Sequence, residues 1–178
     1  MRRIVFLVAL VALLPLVAFA QAPKAEVFGG YQYTHVNIAG TGLNFNGWNT
    51  SVAGNITKTF GVAGDFSGSY QSETGGSLDV YTYTFGPVVN LNHEGVVNPF
   101  VHALFGGAHA KLSATGVGSA TTNGFAMMLG GGVDAKVAPH IAVRLIQADW
   151  AYLHFSDLGS DASLSKNVRI STGLVIRF

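Results

Sequence analysis

The chain has 178 residues, ten Lys and Arg against nine Asp and Glu, a formal charge of +1 and no cysteine. Only 11% of the residues are charged, where an ordinary soluble domain carries about 25%. This excludes a disulfide framework, and nothing suggests nucleic acid, whose binding domains carry a basic patch.

Met1 to Ala20 reads as an export signal: Arg2 and Arg3 lead, Ile4 to Ala18 is apolar apart from Pro15, and Ala18-Phe19-Ala20 is an A-x-A cleavage pattern. Cleavage after Ala20 would leave one domain, Gln21–Phe178, with eight basic and nine acidic residues, a formal charge of −1. Past residue 20 no run of about 18 apolar residues exists, which excludes a membrane helix. The remaining choice is between an unusually apolar soluble β protein and a membrane β-barrel, whose signal is alternation.

Eight segments alternate with period two. They are residues 25–36, 47–57, 60–70, 79–91, 99–111, 124–136, 140–155 and 167–178. In the first, Val27, Gly29, Tyr31 and Tyr33 oppose Glu26, Phe28, Gly30, Gln32 and Thr34. The seventh slips phase, because Arg144 and the polar pair Gln147 and Asp149 are an odd number of residues apart. A β-bulge near Ile146 puts all three on one face. Between segments, stretches of eight to twelve residues rich in Gly, Ser, Asn and Thr (37–46, 71–78, 112–123, 156–166) alternate with short turns at 58–59, 92–98 and 137–139. Long loops at one end and short turns at the other are the order of an up-and-down membrane barrel, with both termini on the periplasmic side.

The two faces differ in size as well as polarity. Gly, Ala, Ser, Thr and Asn dominate one; Trp48, Phe60, Tyr81, Phe85, Phe105, Phe125, Leu145 and Phe178 stand on the other. Eight strands enclose room only for side chains, so the small polar face belongs inside and the bulky one must meet lipid. Tyr33, Trp48, Phe60, Tyr70, Phe100, Trp150, Tyr152 and Phe178 are expected to form interfacial girdles. The fold class is therefore all-β, an eight-stranded antiparallel up-and-down transmembrane barrel.

AEVFGGYQYTHV, GVAGDFSGSY, PFVHALFGGAHA and the terminal VRISTGLVIRF resemble the OmpA-like and OmpX-like eight-stranded barrels of the outer membrane protein beta-barrel domain family, over Lys24 to Phe178. The resemblance implies a Gram-negative outer membrane and a structural or surface-interaction role through four external loops. It implies as partners outer-membrane lipids and lipopolysaccharide, periplasmic chaperones and the barrel-assembly machinery, with a monomeric barrel and no cofactor. Phe178, Ile176 and Leu174 resemble the C-terminal signal that this machinery reads, though Ile176 stands where an aromatic is common. No peptidoglycan-binding segment follows the last strand in this sequence, so a wall-anchoring role is not carried over.

Glu26, Asp65, Asp134, Arg144, Asp149, Arg169 and Arg177 fall on the small face. Isolated charges there are costly, so they should pair into a plug that fills the barrel. Arg144 or Arg169 exchanging acidic partners would instead gate a low-conductance, porin-like pore. His154-Phe155-Ser156 resembles the H-x-S element of an eight-stranded lipid A deacylase family at two residues only, with Asp157 or Asp161 as the remaining acid, so no enzyme is expected. His35, His93, His102, His109 and His140 show no metal spacing on a common face and read as loop and solvated residues.

Overall fold

The computed structural model describes residues 25–38, 41–73, 76–92, 95–114, 118–155 and 162–178. Eight strands run β1 (Ala25–Ile38), β2 (Thr41–Asn55), β3 (Phe60–Glu73), β4 (Gly76–Asn90), β5 (Val97–Ala114), β6 (Gly118–Ala138), β7 (Ile141–Phe155) and β8 (Ala162–Arg177). Each pairs antiparallel with the next, and β8 returns to β1 from Glu26↔Arg177 to His35↔Val168. The sheet is thus closed, and every strand has two hydrogen-bonded neighbours. The export signal expected at 1–20 lies outside the described residues.

Alternation orders the wall. Glu26, Phe28, Gln32 and Thr34 are buried, while Val27, Tyr31 and Tyr33 are exposed on the outer surface. Outward-facing Phe60, Val62, Phe66, Tyr83, Phe85, Val101, Phe105, Phe125, Ile170 and Leu174 continue that apolar belt round the barrel. The bulge in β7 is present: Asp134 pairs with Arg144 and Val133 with Ile146, and the β7–β8 register skips between Arg144 and Gln147. Leu145 and Ile146 both face outward, 55% and 48% exposed, while Arg144, Gln147 and Asp149 are buried inside.

The strands run further than the alternation suggests. About ten tilted residues cross the hydrocarbon band, but the strands here are 14 to 21 residues long. The ladders continue to Ile38↔Thr41, Glu73↔Gly76, Ala114↔Gly118 and Phe155↔Ala162. Three of the four long loops expected from composition, 37–46, 71–78 and 112–123, are therefore mostly paired hairpin ribbon, and of the fourth the described residues 162–166 are strand. On that end the outward face turns polar at Asn44, Asn46, Asn123 and Lys111. Tyr31 donates to Asn46, Tyr33 Oη to Asn44 Oδ1 at 2.8 Å, and Trp48 Nε1 to Tyr70 Oη at 3.0 Å, so the phenol and indole groups mark the boundary between apolar belt and polar ribbon.

Phe100 is not part of a girdle. It is buried in the lumen with the parity of His102, so alternation, not its aromatic character, decides its face.

Candidate functional site

The lumen holds the charged residues, and cross-strand register brings them together. At the terminal end Arg177 Nε lies 3.3 Å from Glu26 Oε1 and Arg177 Nη2 3.4 Å from Asp134 Oδ2. One step deeper Arg144 donates through Nε and Nη2 to the two oxygens of Asp134, at 2.8 and 3.2 Å. Its guanidinium carbon also sits 4.3 Å from the ring centroids of both Phe28 and Phe100, a sandwich that holds the cation by its faces while its edge bonds the carboxylate. Arg144 Nη1 donates to Gln147 Oε1 at 2.7 Å, and Gln147 Nε2 to Asp149 Oδ2 at 2.8 Å.

The mid-lumen is centred on Arg169. Its Nη1 donates to Asp65 Oδ1 at 2.7 Å, and its Nε and Nη2 to Asp149 Oδ2 at 2.8 and 2.6 Å. Asn49 Nδ2 donates at 2.9 Å to Asp65 Oδ2, which also accepts from Arg169 Nη2 at 3.3 Å, and His102 Nε2 lies 2.8 Å from Asp149 Oδ1. All seven charged residues named from the sequence thus join one network, bridged by Gln147. An amide chain extends it: Asn98 donates to Asn90, Asn90 to Asn55 and Asn55 to Glu26, at 3.1, 3.2 and 3.5 Å.

Four carboxylates meet three guanidiniums, leaving one surplus negative charge that a protonated His102 would cancel. Such a network packs buried side chains into the lumen, and ion pairs with most lone pairs and N–H groups used are costly to break one partner at a time. Sequence reasoning missed His102 by reading it as a solvated histidine. The signal was available, since His102 has the parity of buried Leu104 and Ala108. It gave no part in the network to Asn49, nor to Gln147, although the bulge had put Gln147 on one face with Arg144 and Asp149. Of the other histidines of that set, His35 Nδ1 bonds Asn44, His109 Nδ1 bonds Asn123 and His140 Nδ1 lies 3.0 Å from the Arg177 carbonyl, while His93 lies outside the described residues.

His154 has the outward parity of Trp150 and Tyr152, while Ser156, Asp157 and Asp161 of the hydrolase-like element lie outside the described residues. Among the described residues no group of three or more His, Cys, Asp or Glu is placed to hold a metal ion. Leu174, Ile176 and Phe178 form an outward row, and the Phe178 amide bonds the Ala25 carbonyl at 2.9 Å.

With a closed barrel and its lumenal charge network on the page, the comparison with known families is decisive: residues 6–178 match the model of the outer membrane protein beta-barrel domain. The chain belongs to that family. As an outer membrane β-barrel it resides in the outer membrane. Neisserial surface protein A matches with a TM-score of 0.69 at 13% identity, over 89% of this chain and 100% of that one. Ail, the attachment invasion locus protein of Yersinia pestis, matches at 0.61 and 22%, again over 89% and 100%. The N-terminal β-barrel domain of Pseudomonas aeruginosa OprF matches at 0.51 and 12%, with the same coverages. At these identities the likeness establishes the barrel fold. No curated protein sequence matches the chain.

Proposed function

We propose that this outer membrane β-barrel is a membrane-anchored display scaffold. The hairpin end faces outside the cell, the ribbons make surface contacts, and the lumen serves as a structural plug and not as a through-channel. The observation that carries this reading is the continuation of paired strand beyond the apolar belt, above a bore filled by the Arg169 and Arg144 networks. A paired ribbon presents side chains from a rigid backbone, so less ordering entropy opposes binding than for an open loop. The outward ribbon residues described are largely Ser, Thr, Asn and Gly, and Asp79 stands in register with Lys111. Those features favour an uncharged polar partner, such as a glycan or a polar protein face, over a polyanion. Ail is named for attachment, and a role of that kind fits a scaffold built this way.

Export through residues 1–20, assembly through Phe178, Ile176 and Leu174, and a monomer among lipopolysaccharide and outer-membrane lipids complete the proposal. Bacteria producing the chain should adhere to glycan- or protein-coated wells. Replacing His109–Asn123 by a two-residue turn should abolish adherence while the barrel still migrates as a heat-modifiable band. A persistent single-channel current in planar bilayers, altered by Arg144→Gln, would overturn the plug in favour of a gated pore. Membrane-extracted protein should begin at Gln21 on N-terminal sequencing.

A further inference from the structure

The lumen changes character halfway up. Below Arg169 the charge network and the buried rings of Phe28 and Phe100 occupy it. Above Arg169 lies a cavity of about 310 Å³, open toward the hairpin end. Its wall is formed by Val36, Phe45, Leu78, Leu112, Leu153 and Phe155, with Arg169 in its floor. Leu78, Leu112 and Ala120 are register partners across β4, β5 and β6 and make an apolar lip. Membrane-barrel interiors that hold water are ordinarily polar, and apolar residues that merely completed a core would close on one another and leave no void of this size. An apolar wall around an open space inside a polar ribbon is the composition of a small-molecule pocket.

The floor supplies the polar part. Gln32 is buried, and its Nε2 is engaged by Ser69 Oγ at 2.6 Å, but its Oε1 accepts no hydrogen bond from the protein. Thr34 Oγ1, buried on the next inward position of β1, also has no protein partner, and both residues line the cavity. Gln32 Oε1 can only accept, so a ligand must donate to it. Arg169 does not invite an anion, because Asp65 and Asp149 already hold it and give that layer a charge of −1, or zero with His102 protonated.

We propose that the upper lumen binds a small neutral amphiphile. Its single hydroxyl would sit low against Gln32 and Thr34, and its apolar body would rise between Phe45, Leu153 and Phe155. At ~30 Å³ for each water-sized group the cavity has room for about ten such groups. The site is separate from the ribbon contacts proposed above.

The test uses the full barrel in lipid nanodiscs, with 1-decanol, decanoate and decane as probes and the methyl resonances of Met128 and Leu153, two lining residues, as the readout. Decanol should shift both methyls saturably, with decanoate binding about tenfold or more weaker. Gln32→Leu should remove the preference of decanol over decane. Filling the space with Ala110→Trp should abolish saturable shifts, and Ala120→Trp at the lip does the same job if the first variant fails to give a heat-modifiable band. Shifts that rise linearly with probe, or that persist in the filled variant, mean bilayer partitioning and overturn the site. Decanoate binding as tightly as decanol overturns the assignment of the floor.

Discussion

Arg169 and Arg144 look alike in the sequence, yet the lumen makes them unequal. Among the described residues Arg169 is the only guanidinium on Asp65 and Asp149, both buried. Arg169→Met strands two carboxylates and should cost about 3–5 kcal/mol, the range for breaking a buried pair from one side. Arg144→Met leaves Asp134 within reach of Arg177 and puts an apolar chain between Phe28 and Phe100. It should cost clearly less. Urea unfolding of the two variants refolded in lipid checks the order. Equal midpoints would mean that the two layers of the plug share one energetic unit.

At the scale of the strand, adjacent glycines separate the two surfaces. Gly29 points outward, and a Cβ there meets nothing within 4 Å; one on Gly30 would collide with the Thr172 carbonyl of β8. Gly30→Ala should therefore weaken the closing β1–β8 seam, seen as a lower unfolding temperature of the heat-modifiable band, while Gly29→Ala leaves it unchanged or raises it slightly. Gly118 opens β6 at φ 108°, a conformation that strains any side chain, so Gly118→Ala should loosen the β5–β6 ribbon without unfolding the barrel. The ribbons were the part of the fold that alternation could not reveal. Above the belt neither face needs to be apolar, so 37–46 and 112–123 carry loop-like composition although 37–38, 41–46, 112–114 and 118–123 remain laddered and Tyr33, His35 and His109 bond across the strands.

Across the whole molecule, what was legible was parity. Every charged residue of the plug could be assigned to the inner face by counting in twos with one bulge allowed in β7, because lipid outside makes the opposite assignment prohibitive. Which charges meet was not legible. Asp65 and Arg169 are 104 residues apart on strands that are not neighbours, and their meeting depends on tilt and register around the closed wall. Parity also sufficed for His102 and Phe100, where residue type misled. The bulge in β7 now has a bearing on how this barrel tolerates changes of length. Three steps from Arg144 to Gln147 face two steps on β6 and two on β8. Deleting Ile146 would restore a regular ladder on both sides and keep Arg144 and Asp149 indoors, whereas deleting Ala148 would invert the register beyond the bulge and turn Asp149 toward hydrocarbon. A transmembrane strand is ordinarily the worst place to lose a residue. Here either of two adjacent positions should accept the loss, and a deletion scan of 142–150 scored by heat-modifiable yield should show Leu145 and Ile146 as the spared sites at the bulge.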